Sequence, residues 1–180
     1  MQSKLLALLG ITVCLSAQAE ADPRRPDPFV GISLSFSEIV MDQLPSDTSF
    51  GKDVQIGVIY PQKRIYASLD FRDWDEADTR VIGAHYDRLW SLGRRATAFA
   101  GVQGALADFD LNDKHQTEAH KTGPGLGVQA GAFWRLGDNW QLETGVRHTR
   151  FQVEIDSQLV EGNKLESISE AYFSLTYRSN

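Results

Sequence analysis

The chain has 180 residues, enough for one domain, a formal net charge of −6 and a single cysteine. Its basic residues are scattered, so it carries no electrostatic footprint for nucleic acid. The cysteine, Cys14, sits in an N-terminal apolar run, which leaves the rest of the chain without thiols for a disulfide framework or a cysteine-ligated metal.

Lys4, the apolar run Leu5 to Leu15 and Ala17-Gln18-Ala19 before Glu20 have the layout of a cleaved secretory signal peptide over residues 1–19. The run is shorter than the ~20 residues a membrane-spanning helix needs. Val13 precedes Cys14 where a lipoprotein has a small residue, so lipidation is not expected. Residues 20–28 are polar and proline-rich and read as a flexible leader; residues 29–180 read as the folded domain.

That domain shows apolar alternation eight times, the period of a strand with two unlike faces. The apolar parity runs Val30 to Phe36, Val54 to Tyr60, Ile65 to Phe71 and Ile82 to Trp90 (with Arg88 as an exception). It continues Ala96 to Leu106, Leu126 to Trp134, Trp140 to Val146 and Ala171 to Tyr177. The opposite parity is small or polar, rich in Gly, Ser and Gln. Ile59, Phe99, Phe133 and Tyr172 break the rule. Tight turns are expected around Pro61, Gly93 and Gly137, and longer loops over 38–52, 75–78, 109–122 and 156–165. Together these predict an all-β fold: a closed antiparallel up-and-down transmembrane barrel of about eight strands, with both termini on the turn side.

Alternation alone does not say which face points inward, because a soluble periplasmic barrel holding an apolar ligand alternates too. Three features place lipid outside. Tyr60, Trp90, Trp134, Trp140 and Tyr177 share the apolar parity and gather at the turn ends, as an aromatic girdle at a membrane boundary would. Lys52, Lys63, Lys114, Lys121 and Lys164 avoid strand centres. The segment from Trp140 to about Phe151 suits the 9–11 residues that cross a bilayer at a tilt.

The signal peptide, the eight segments and the ending Glu170-Ala171-Tyr172-Phe173-Ser174-Leu175-Thr176-Tyr177 resemble the small outer-membrane barrels of the OmpA/OmpX and opacity-protein type. The resemblance covers nearly all of the chain after the signal peptide. It implies a Gram-negative outer membrane, with insertion by the barrel-assembly machinery and with lipid and lipopolysaccharide as neighbours. Such barrels end in an aromatic residue, whereas Arg178-Ser179-Asn180 follow Tyr177 here.

An eight-stranded barrel is only wide enough for side chains to fill. Asp70, Arg72, His85, Asp87, Glu143, Arg147 and Glu170 lie on the lumen parity, and such interior charges are expected to form a paired structural network rather than an ion path. Glu143 and Arg147 are four apart on one strand, too far to pair directly, so each should pair across strands. His148 and Arg150 project outward near the loop rim, where lipopolysaccharide phosphates would lie.

His148 with Glu170 also resembles, in placement, the catalytic strands of outer-membrane lipid A deacylases. Arg150 stands where those enzymes have the serine nucleophile, so no catalytic residue is expected. Asp108, Asp110, Asn112 and Asp113 open like a calcium loop, but Asp113 replaces its glycine and Ala119 its glutamate; His115 and His120 have no metal-ligand spacing. The reading is a monomeric, non-enzymatic envelope protein with no cofactor and no metal, its outward loops carrying surface interactions.

Overall fold

A computed structural model describes residues 26–41, 47–73, 77–111, 119–157 and 160–179, and the signal-peptide stretch and most of the leader lie outside these. Eight strands form one closed antiparallel barrel: β1 (Asp27–Met41), β2 (Asp47–Ile59), β3 (Lys63–Asp73), β4 (Ala77–Ser91), β5 (Ala96–Leu111), β6 (Ala119–Arg135), β7 (Trp140–Ser157) and β8 (Val160–Arg178). Each pairs with its neighbour in sequence, and β8 closes on β1, Val30 facing Tyr177 and Ile32 facing Leu175. β1 begins within the stretch read as leader, since Asp27 and Pro28 already pair with Ile59 and Val58.

The expected contrast between tight turns and long loops is not what forms. On one rim the strands are joined by residues 60–62, 92–95 and 136–139; on the other by 42–46, 74–76, 112–118 and 158–159. Stretches read as loops are mostly paired strand: Ser37 faces Ser49 and Glu154 faces Lys164. The reason is physical. Beyond the hydrocarbon a strand can carry polar residues on both faces, so the ladder continues after the alternation that reveals it has ended. β7 spans 18 residues and β8 spans 19, well past the ~9–11 a bilayer requires.

The apolar parity faces outward all round the wall: Ile32, Phe36, Ile82, Leu126, Val146 and Phe173 are exposed, while the interleaved Ser33, Gln55, Asp70, Gln129 and Thr176 are buried. This inverts a soluble barrel, and water would meet a continuous apolar belt. Hydrocarbon suits that belt, and closure satisfies the ladder that hydrocarbon cannot solvate. Trp90, Trp134, Trp140 and Tyr177 project outward at the turn rim, with Trp140 and Tyr177 edge-to-face at 5.2 Å. Tyr60, half-buried, lies 4.9 Å from Lys63 Nζ.

Glycine is needed where a large inward side chain crosses the wall. A Cβ at Gly145 would lie 2.7 Å from Tyr172 Oη, which itself donates to Glu143 Oε1 at 3.0 Å. Gly145→Val should therefore cost about 1–3 kcal/mol by overpacking, whereas Val146→Leu, on the outer face one residue on, should cost little. Urea unfolding midpoints from lipid vesicles, read by the heat-modifiable gel shift, check the contrast.

Candidate functional site

Seven inward residues expected from parity are all buried: Asp70, Arg72, His85, Asp87, Glu143, Arg147 and Glu170. Cross-strand register brings six of them into two ionic clusters, with His85 in neither. The lower one, toward the turns, centres on Arg64, 1% exposed, which pairs with Asp87 at 2.7 Å and with Glu143. Gln129 Nε2 ties this cluster down by donating to Asp87 Oδ1 at 2.5 Å and to Tyr66 Oη at 2.8 Å. The upper cluster runs Asp70–Arg72–Glu170–Arg147, the last pair at 2.9 Å, with Asp53 3.9 Å from Arg147. Tyr172 joins the two: its hydroxyl donates to Glu143 and its ring lies 5.0 Å from the Arg147 guanidinium. Glu143 and Arg147 do not pair with each other; each finds its partner across strands.

His85 sits between the clusters. Its ring stacks on Tyr66 at 4.2 Å, and Nε2 shares a 2.7 Å hydrogen bond with Ser68 Oγ. Packing leaves little free space: the cavity walled by Ser68, Asp70, Arg72, His85, Gln103 and Arg147 measures about 10 Å³, the size of one water.

Arg64, Asp53, Tyr66, Gln129 and Tyr172 were not expected in this network. The signal for Arg64 was present, because period two carried back from Ser68 reaches Tyr66 and then Arg64. Three of the four residues that break the alternation have a shared role, and the fourth, Tyr172, links the ionic clusters. Ile59, Phe99 and Phe133 point inward with Phe29 and Leu89 and form an apolar plug at the turn end. The Arg64 guanidinium lies over it, 4.9 Å from Phe99, 5.8 Å from Phe29 and 5.9 Å from Phe133. Val81, Ala105, Phe151 and Ile168 are also buried and line the same small cavity as the upper cluster.

The outer face carries its own charges. Lys52, Arg80, His148 and Arg150 are all exposed. Lys52 and His148 stand eight residues up-strand from Tyr60 and Trp140; Arg80 and Arg150 stand ten from Trp90 and Trp140. At roughly 2.3 Å of height per tilted residue, that is roughly 18–23 Å above the turn-side girdle. The hydrocarbon-facing band of such barrels is about 25 Å tall, so these cations form a belt at its far edge. Exposed Phe36 and Phe50, paired across β1 and β2, lie at the same edge, and Phe71 lies between Lys52 and Arg80 in one cross-strand row.

The trio weighed for deacylation does not assemble. Glu170 points inward onto Arg72 and Arg147, whereas His148 points outward on the far side of the wall. His148 Nδ1 instead meets Ser169 Oγ at 2.9 Å. Ser169 stands between Glu38 and His148 in its row, so the carboxylate flanks the serine rather than orienting the imidazole. Of the calcium-loop residues, Asn112, Asp113 and His115 lie outside the described residues. Asp108 accepts a hydrogen bond from Thr122. No cluster of metal-ligating side chains forms among the described residues.

No protein-family model and no curated protein matches this sequence. Solved structures do. Neisserial surface protein A superposes with a TM-score of 0.73 at 16% identity, covering 84% of this chain and 97% of that one. Outer membrane protein H of P. aeruginosa gives 0.61 at 20% identity, covering 85% and 99%. Ail, the attachment invasion locus protein of Yersinia pestis, gives 0.58 at 11%, covering 86% and 99%. At such identities the likeness is one of fold, and the chain has the fold of the small eight-stranded outer-membrane barrels.

Proposed function

We propose that this protein is a non-enzymatic barrel of the Gram-negative outer membrane that works through its outer surface, holding lipopolysaccharide phosphates on the belt of Lys52, Arg80, His148 and Arg150. The observation that carries this reading is the unequal treatment of cations. Inside, Arg64, Arg72 and Arg147 each lie against carboxylates. Outside, Lys52, Arg80, His148 and Arg150 are exposed along one edge of the wall, with Asp108 across from Arg80 and Glu38 in the row of His148, and there we read the phosphates of the outer leaflet. Arginine forks match phosphate oxygens in pairs, and long basic stems reach along apolar surface to a polar boundary. Two of the similar proteins are named as a surface protein and an attachment protein, which agrees with a surface role.

A transport role is not supported. The arginines of the lumen lie against carboxylates, the residual space is water-sized, and apolar side chains close the turn end. In planar bilayers the protein should give no stepwise conductance, and reproducible single-channel steps would contradict the sealed lumen. Arg64→Ala should leave Asp87 and Glu143 buried without their cation, at a cost of about 3–5 kcal/mol. The midpoint of urea unfolding from vesicles reads that loss.

Arg150→Ala should lower the lipopolysaccharide retained through purification. Lys52→Gln/Arg80→Gln/Arg150→Ala should lower it further, by about five-fold for each cation if each contributes ~1 kcal/mol at a charged surface. Retention unchanged in the triple variant, with the heat-modifiable shift intact, would remove the proposal.

A further inference from the structure

We propose that the arginine-walled hollow at the turn-side mouth of the barrel is a binding site for a phosphate group, separate from the belt at the opposite edge. Its walls are Arg94 and Arg95 from the β4–β5 turn, Arg135 at the end of β6, Arg178 at the end of β8, and Leu136, Gly137 and Asp138 from the β6–β7 turn. The hollow encloses about 400 Å³, ample for a phosphate and part of what carries it. Four guanidiniums meet only two carboxylates among the described residues, Asp138 in the wall and Asp27 paired with Arg178. Among the described residues, two positive charges are thus in excess at this mouth.

Such a concentration is unfavourable without a counter-charge, yet the backbone holds it in place. Arg135 N–H donates to Arg95 O at 2.9 Å, and Arg135 Nη2 donates to Arg94 O at 2.6 Å. Arg178 N–H donates to Asn139 O at 2.7 Å, while Asn139 Nδ2 returns a bond to Arg178 O at 2.8 Å. Two turns and the last strand are therefore stitched together with their arginines presented side by side. Arg178 Nε is shielded from solvent and has no acceptor. A site whose donors are already positioned binds without the cost of ordering them.

The position selects the chemistry. Arg135 follows Trp134 and Arg178 follows Tyr177, so the hollow lies at the level of the girdle, where headgroup phosphates sit. One strand residue inward of Arg135 on the same face, Phe133 belongs to the plug, so the hollow is closed on its inner side and is not the entrance of a conduit. Guanidinium is matched to phosphate by paired parallel N–H donors. The phosphate can belong to a phospholipid of the turn-side leaflet or be free in the aqueous compartment.

The test uses the whole folded chain in a maltoside micelle, whose headgroups carry no phosphate. One arm titrates inorganic phosphate and follows the backbone amides of Arg95, Arg135 and Arg178 by NMR. The other adds phosphatidylglycerol and counts bound lipids by native mass spectrometry. Saturable shifts in the first arm assign the site to free phosphate; one retained lipid in the second, without saturation in the first, assigns it to a headgroup. In either case Arg94→Gln/Arg95→Gln should weaken binding at least ten-fold, Arg94→Lys/Arg95→Lys should restore part of it, and Arg88→Gln, outside the hollow, should leave it unchanged. The heat-modifiable shift confirms that each variant is folded. No binding in either arm, or binding indifferent to Arg94→Gln/Arg95→Gln, would overturn the assignment, while loss of lipopolysaccharide in the Lys52/Arg80/Arg150 variant bears only on the other rim.

Discussion

Closing a β-ladder inside hydrocarbon forces the polar half of every strand into a space barely wider than the side chains themselves. In that space a charge without a partner is ruinous, because desolvation of a lone ion costs several kcal/mol even after relaxation. The ionic lumen follows from this constraint. Arg64 is held by Asp87 and Glu143, Arg72 by Asp70 and Glu170, and Arg147 by Glu170 with Asp53 nearby. Because each pairing crosses strands, the network also fixes register. A one-residue slip of β3 against β4 would turn Arg64 and Arg72 to lipid and expose the apolar set to the lumen.

The same constraint explains why aromatic rings sit where the lumen parity ought to be polar. At the turn end the network ends, and water would otherwise reach Asp87 and Glu143. Phe29, Ile59, Leu89, Phe99 and Phe133 close that end. The guanidinium of Arg64 lies among those rings and so faces carboxylates and ring faces at once, cation–π contact adding to its ion pairs. The plug therefore excludes water from the ion pairs and helps to neutralise one of them.

Much of this was legible in the sequence, because period two is rigid: once Ser68, Asp70 and Arg72 are placed inward, every second residue of β3 shares their fate. Strand count, closure, outward girdle and inward charges all follow from that parity. What stayed hidden has separate causes. Arg64 lies just ahead of the apolar alternation that marks β3, and Tyr66, inside it, is aromatic where the lumen parity is otherwise small or polar. The plug residues looked like defects in the alternation because parity says nothing of height along the barrel, and only height distinguishes a lumen end from its middle. The strand extensions, such as residues 38–41 and 152–157, lack the regular apolar alternation and so read as loops. The meeting of His148 with Ser169 depends on the register of β7 against β8, which pairing alone sets.

On the proposed reading, function lies at the surfaces of the barrel rather than inside it. A lumen filled by paired charges leaves only a water-sized space for a passing solute, and changing any of its arginines unbalances a carboxylate across the wall. The rims have no such obligation. Lys52, Arg80, His148 and Arg150 at one edge, and Arg94, Arg95, Arg135 and Arg178 at the other, sit where hydrocarbon gives way to polar headgroups and where charge can be kept without a buried partner. Although the net charge is −6 overall, the chain sets arginine and lysine at both rims, beside few carboxylates such as Glu38, Asp27 and Asp138. That distribution is what a wall must have if it is to be held by phosphate on both sides of one membrane.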